Sequence, residues 1–132
     1  MISRCDMDCL LVNGTVFRQL VGPYTEPLVF VGALGAQVVS VMVDSGASLN
    51  FISTALVARL GWPPVVGQVA RYVTTASGVV RRCDQYYRNV HVTIQHLRFS
   101  VDVYAMESSE KDIMFGMPWF QSMRPVLLHF KE

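Results

Sequence analysis

The amino-acid sequence predicts an all-β domain with one or two short helices, and three observations support this class. Two runs rich in β-branched residues, 28–34 and 37–43, flank Gly35-Ala36, a pattern typical of a hairpin. Segments 87–94 and 97–104 alternate apolar and polar residues, as half-buried strands do. Of the 132 residues, 52% are hydrophobic and 16% are charged. The chain is therefore long and apolar enough to bury the core of a single domain.

Composition and charge exclude several classes of function. The net charge of +1 favours neither nucleic acid nor an anionic membrane surface as a partner, and no apolar run is long enough for a transmembrane helix. The first residues lack the features of a signal peptide. Cys5, Cys9 and Cys83 form no disulfide framework of even count, and a single Cys-x3-Cys pair is too small a ligand set for structural zinc. We expect an intracellular, cytoplasmic protein without metal or cofactor.

The chain divides into residues 1–24, an N-terminal arm or extra hairpin, and residues 25–132, the main domain. In the first segment, Asn13-Gly14 stands between two apolar runs, which is the strongest short-range signal for a hairpin. The same residues are compatible with an arm that pairs elsewhere. Gly22-Pro23 and Pro27 then interrupt the chain before the first long strand.

The main domain continues with shorter elements. Residues 49–60 carry apolar side chains at helical spacing, with Gly61 at the position of a C-cap glycine. Beyond this helix the pattern predicts, in chain order, a hairpin of strands 68–73 and 79–82, the alternating pair already described, a short buried strand 112–116, a helical turn opened by Pro118, and a last strand 126–130.

The segment that carries chemistry follows the strand 37–43. Asp44 ends this apolar run and precedes Ser45, Gly46 and Ala47. A carboxylate at the mouth of a buried strand is held rigidly while it still faces a cleft, which avoids the cost of burying an unpaired charge. Glycine lets the backbone approach closely, and the serine hydroxyl can lock the loop by hydrogen bonds.

One carboxylate cannot hydrolyse a peptide alone, whereas two that share one proton can. The sequence contains a single Asp-Ser/Thr-Gly, so the second carboxylate has to come from another copy across a twofold axis, the commonest symmetry of oligomers. The alternative is an ordinary Asp-Ser-Gly turn in which Asp44 caps a helix that begins near Ser48.

Several ordered blocks of the sequence resemble the aspartic proteases of LTR retrotransposons, particularly of the gypsy type, within the retropepsin-like family. The resemblance covers about residues 28–130. Its blocks are Leu28-Val29-Phe30-Val31-Gly32, Val43 to Ser53, Leu60-Gly61, Phe99 to Tyr104, Asp112 to Phe120 and Arg124 to Phe130.

The resemblance implies a closed, homodimeric retropepsin-like barrel whose two copies share one active site under two flaps. It makes Asp44 the catalytic residue and Ser45, Gly46 and Ala47 its active-site loop. Further predicted site residues are a supporting loop of Ile113, Phe115 and Gly116 and a flap tip of Thr75, Ala76, Ser77 and Gly78. The chain departs from the family in a flap with a single glycine and in Pro118, where many relatives carry an acidic residue.

Other chemically capable residues form no convincing site. His91, His96 and His129 lie far apart, and no serine or cysteine nucleophile motif accompanies them or Cys83. Trp62 and Trp119 are interpreted as core anchors and Asp102 as part of a solvated face.

The favoured function is a homodimeric aspartic endopeptidase that hydrolyses extended peptides with apolar residues near the cut, in a cleft lined by side chains such as Val79 and Ile113. Its substrate would be a peptide or a retroelement polyprotein. The alternatives are a transposon-derived module that keeps the fold for dimerisation or peptide binding, and a structural β domain of a larger polyprotein.

Overall fold

The structure is a computed structural model that describes residues 9–12, 15–18, 28–44, 46–74, 78–107, 111–123 and 126–129; for 9–12, 15–18 and 126–129 it describes the backbone alone. The strands are β1 (Cys9–Val12), β2 (Thr15–Arg18), β3 (Leu28–Leu34), β4 (Gln37–Val43), β5 (Phe51–Ser53), β6 (Arg71–Thr74), β7 (Val80–Cys83), β8 (Tyr86–Ile94), β9 (Leu97–Met106), β10 (Ile113–Phe115) and β11 (Val126–His129). The helices are α1 (Thr54–Leu60) and α2 (Met117–Ser122).

Six strands close into a barrel in the order β10-β4-β3-β8-β9-β5. Two neighbouring pairs, β10 with β4 and β5 with β9, are parallel, while the other pairs are antiparallel. The predicted all-β class with a closed barrel and two short helices is confirmed. Neither helix, nor any other helix within the described ranges, has the length and apolar character to cross a membrane.

The hairpin of β3 and β4 has the predicted bounds. Gly35 takes a φ of +57° in the connecting turn, a conformation that glycine adopts without steric cost. Val39, Val41 and Val43 alternate along β4 and are all buried, so this strand delivers its last core residue immediately before Asp44.

The strand β8 contains a bulge that the alternating pattern did not predict. Its register shifts between Tyr87 and Val90, and Asn89 takes a φ of +56° there. The Asn89 N–H donates to Asp102 Oδ1 over 2.9 Å, so the exposed carboxylate also pins the bulge. Inward-facing residues are therefore Tyr87 before the bulge and Val90 and Val92 after it.

The predicted helix 49–60 is wrong over its first part. Phe51–Ser53 forms β5, which pairs in parallel with β9 and antiparallel with β10. Sheet pairing on both edges outweighs the helical spacing of Phe51 and Ile52. The helix begins at Thr54, where the Ser53 hydroxyl accepts the Leu56 N–H over 3.4 Å, and it ends at the predicted Gly61 cap with φ +68°.

The main core fills the barrel and is closed by α2. Trp119 is buried, stacks on Phe115 at 5.0 Å between ring centroids, and meets Phe99 edge-on at 5.6 Å. Trp62 is half-buried and packs beside Tyr87. Ile113 is only 1% exposed within this core. Its predicted place in the lining of a cleft is therefore wrong, because a side chain buried in the barrel cannot contact substrate.

The first and last described strands form a separate sheet in the order β11-β1-β2. Residues 9–12 pair antiparallel with residues 15–18 and also with residues 126–129. Asn13 and Gly14 lie outside the described residues. The boundary between 1–24 and 25–132 stays a prediction.

A side-chain bracket holds β4 to the residue that precedes β10. Asp112 Oδ2 accepts the Ser40 N–H over 2.8 Å and the Ser40 hydroxyl over 3.3 Å, while the Asp112 N–H donates to Ser40 Oγ over 3.0 Å. All these groups are partly buried. The bracket aligns the parallel pair whose ends carry Asp44 and Gly116.

Asp112→Ala should lower the free energy of unfolding by about 1–3 kcal/mol, because it leaves the Ser40 N–H without its acceptor. The matched control is Asp84→Ala, which removes a 2.7 Å ion pair with Arg82 whose side chains are more than half exposed and should cost less than about 1 kcal/mol. Denaturant unfolding followed by tryptophan fluorescence measures both. Equal losses would contradict a structural role for the bracket.

Candidate active site

Asp44 is placed by the end of β4. Its backbone N–H donates to the Phe115 carbonyl over 2.9 Å, which extends the parallel pairing of β4 and β10 by one residue. Its side chain is half-buried. The carboxylate therefore stands at the rim of the barrel on a backbone that the sheet holds in place.

The residues after Asp44 turn back on its carboxylate. The Gly46 N–H donates to Asp44 Oδ1 over 2.9 Å, and the Ala47 N–H donates to the Asp44 carbonyl over 3.1 Å. A Cβ added at Gly46 would stand 3.2 Å from the same Oδ1. The interpretation of Asp44 as a helix cap near Ser48 is wrong, since the helix begins at Thr54.

Parts of the predicted site fall outside the described residues. These are Ser45 of the active-site loop and Thr75, Ala76 and Ser77 of the flap tip. Gly78 is described at the end of that tip with φ +85°, next to the hairpin of β6 and β7. The roles given to these residues remain predictions.

Three hydrogen bonds, named here the loop clamp, join the Asp44 loop (residues 44–50) to residues 115–117. They are Asp44 N–H to the Phe115 carbonyl, Met117 N–H to the Ala47 carbonyl at 2.8 Å, and Gly116 N–H to Asn50 Oδ1 at 2.8 Å. The clamp is tightest at Gly116. An added Cβ there would overlap the Leu49 carbonyl oxygen and stand 2.8 Å from the Ala47 carbonyl oxygen.

Among the predicted supporting residues, Phe115 and Gly116 thus contact the Asp44 loop through their backbones, whereas Ile113 acts through the barrel core. Sequence reasoning assigned no role to Asn50, which completes the clamp. The available signal was an amide side chain inside the apolar run 49–52, where a buried polar group needs hydrogen-bond partners.

A second apolar cluster lies between the Asp44 loop and the hairpin of β6 and β7. Phe51, Cys83 and Tyr104 are buried in it, and Ala47 and Leu49 of the loop pack against them. Burial, with a smaller contribution from the charge of Asp84, raises the pKa of the Cys83 thiol, while Arg81 opposes this. The thiol is therefore protonated and unreactive at neutral pH.

Two cavities of about 500 Å³ lie on the described surface, and neither is lined by the Asp44 loop. One is at the opposite end of β4, between Leu34, Trp62 and Tyr87. The other runs beside β7 and is lined by charges of both signs, including Arg81, Asp84 and Glu107. Within the described part of the chain, no three His, Cys, Asp or Glu side chains come together as a metal site.

Comparison with known proteins agrees with this geometry. Residues 31–119, which include Asp44 and Gly116, match the family described as Aspartyl protease. The chain belongs to the aspartyl protease family. Among curated proteins none matches it. A similar solved structure is the retroviral protease-like domain of Ddi1 from Leishmania major, with a TM-score of 0.55 and 16% identity over 74% of this chain and 76% of that chain. The likeness shows that this chain has a retropepsin-like fold.

In this member of the aspartyl protease family, Gly116→Ala should lower the free energy of unfolding more than an alanine substitution at a glycine with positive φ. The new methyl group meets two backbone carbonyls that cannot rotate away, so we expect a loss of about 3 kcal/mol or more. The control Gly35→Ala faces open space and should cost roughly 1–2 kcal/mol from its φ of +57°. Denaturant unfolding measures both losses of free energy. A larger loss for Gly35→Ala than for Gly116→Ala would refute the clash.

Proposed function

We propose that the chain is an aspartic endopeptidase that acts as a homodimer and hydrolyses extended peptides, as in the processing of a retroelement polyprotein. The observation that carries the proposal is the fixed Asp44 carboxylate, which stands at the end of a buried strand and accepts the Gly46 N–H. Membership of the aspartyl protease family supports it. The proposed gypsy-type origin rests on the sequence blocks that contain Asp44 and Gly116.

In the proposed dimer, the two Asp44 carboxyls face each other across the twofold axis and share one proton. The ionised carboxylate takes a proton from a water molecule, which adds to the scissile carbonyl carbon as the protonated partner hydrogen-bonds the carbonyl oxygen. The tetrahedral intermediate then collapses as a proton passes to the leaving nitrogen. The Gly46 N–H holds one oxygen of each carboxyl and so fixes its direction before substrate arrives.

The exposed surface of the hairpin of β6 and β7 supports the proposal that the substrate has apolar side chains. Its outer residues Tyr72 and Val80 are 69% and 62% exposed, and Val79 is half-exposed next to the tip. A flap built on this hairpin would cover an extended peptide with apolar contacts and exclude water from the carboxyl pair. The proposed tip of this flap consists of Thr75, Ala76, Ser77 and Gly78.

Asp44→Asn should lower the rate of peptide cleavage by at least about 10²–10⁴-fold, because it removes the general base and acid. Asp84→Asn serves as the control for the same chemical change at an exposed site.

Mixing the two chains gives a second test of the dimer. Addition of excess Asp44→Asn chain to wild type should reduce activity, because the mixed dimers that form have only one Asp44 carboxyl. Cleavage that survives the substitution would instead favour the non-catalytic dimerisation or peptide-binding module, and sedimentation would show whether either variant still dimerises.

The pH dependence of cleavage should be bell-shaped with its maximum in the acidic to mildly acidic range. Rate should fall at low pH, when both carboxyls are protonated, and fall again toward neutral pH, when the shared proton is lost. Initial rates on a peptide without ionisable groups, corrected for the folded fraction at each pH, measure this. A rate that keeps climbing above neutral pH would rule out the shared proton.

A further inference from the structure

We propose that Asn50 is a positioning residue of the active site, whose buried side-chain amide sets the place of the Asp44 carboxylate by holding the far end of its loop. The proposal rests on the proposed peptidase function. It concerns a residue that touches neither substrate nor the reacting atoms and acts through Gly116.

The Asn50 amide bridges two backbones that are not paired with each other. Its Oδ1 accepts the Gly116 N–H over 2.8 Å, and its Nδ2 donates to the Asp102 carbonyl over 3.3 Å. The backbone carbonyl of Asn50 accepts the Tyr104 N–H over 3.0 Å, and the residue is 5% exposed. The side chain therefore works as a substitute peptide unit between the end of β10 and the middle of β9.

Asn50 is the part of the loop clamp that depends on a side chain. The other two hydrogen bonds, from Asp44 to Phe115 and from Met117 to Ala47, join backbone to backbone and are the same for any side chain. Gly116 is buried, and its N–H has Asn50 Oδ1 as its acceptor. Removal of the amide leaves this donor without an acceptor in a place where two carbonyls already crowd Gly116.

In the described part of the Asp44 loop, residues 46–50, no strand or helix holds the chain. The loop is fixed at Asp44 by β10, at Ala47 by Met117, and at Asn50 by Gly116 and by the Tyr104 N–H. Loss of the contact between the Asn50 side chain and Gly116 lets the loop shift relative to residues 115–117, and the Gly46 N–H that orients the Asp44 carboxylate moves with it. A displacement near 1 Å at reacting groups costs on the order of 100-fold in rate, so the effect should appear in kcat rather than in KM.

An acid at position 50 gives a test that a merely structural role would fail. The carboxyl of Asn50→Asp can accept the Gly116 N–H, but its second oxygen would face the Asp102 carbonyl at the place where Asn50 Nδ2 now donates. It can donate there when protonated and repels when ionised. The titratable groups on the surrounding elements are Asp44, Cys83, Asp102, Tyr104 and Asp112, and the cation of Arg88 lies over the Tyr86 ring on the far side of Tyr104. Burial and the facing Asp102 carbonyl therefore disfavour the anion at position 50.

The folded state of Asn50→Asp consequently favours the protonated carboxyl, and the loop should be intact at low pH and loosen as pH rises. The ratio of variant to wild-type kcat should lie within about threefold of unity near pH 4 and fall at least tenfold further by pH 6. The ratio cancels the pH dependence of the wild-type reaction. A ratio that stays flat with pH overturns the proposal.

Asn50→Ala should lower kcat by about 10- to 100-fold with KM changed less than about threefold. The matched control is Ser53→Ala, three residues along the chain, which removes the N-cap of α1 but no contact of the loop clamp. It should destabilise the fold while kcat keeps its wild-type value at temperatures where the variant is folded. Equal effects of the two variants on kcat would assign Asn50 to stability alone and refute the proposal.

Amide hydrogen exchange keeps this test independent of the proposed function. The Gly116 N–H should exchange slowly in wild type and at least tenfold faster in Asn50→Ala, while the Ala105 N–H, bonded to the Gln85 carbonyl, changes little. The Gly46 amide signal should shift in the same variant. A wild-type chain that cleaves no peptide would end the proposed function, whereas unchanged Gly116 exchange and Gly46 signal would end the proposal for Asn50.

Discussion

The loop clamp is the interaction on which the arrangement of this site depends. A carboxylate at the end of a buried strand is useful only if the chain after it cannot collapse onto the barrel or swing into solvent. The parallel register of β4 and β10 places the Phe115 carbonyl opposite the Asp44 N–H, and the next two residues of the same segment hold the rest of the loop. The bracket between Ser40 and Asp112 sets that register from the other end of the strand pair.

Two apolar clusters hold different parts of the fold together. The main core holds the barrel together and buries Ile113, Phe115 and Trp119, so its packing fixes one side of the clamp. The second cluster joins the Asp44 loop to the base of the β6–β7 hairpin through Phe51, Cys83 and Tyr104. The hairpin and the loop that carries Asp44 are therefore joined by direct packing.

Much of this arrangement follows from local patterns in the sequence. The β3–β4 hairpin, Asp44 at its end, the Gly61 cap and the short strand before Gly116 are each encoded by neighbours along the chain, and they were predicted. The strand β5 was not predicted, because its pairing with β9 and β10 outweighs the helical spacing of Phe51 and Ile52. The bulge at Asn89 and the contact of Asn50 with Gly116 join residues that are distant in sequence, and single-sequence periodicity carries no record of such contacts.

The pairing of β1 with β11 has a consequence for how the chain is made. The first described strand finds one of its two partners only at residues 126–129, so this sheet is complete only after those residues have left the ribosome. At typical rates of synthesis the delay is on the order of ten seconds. During that time β1 and β2 have only each other, and a lone two-stranded hairpin is marginal in water. Emergence of residues 126–129, rather than closure of the barrel, is then the event that completes the sheet of β11, β1 and β2.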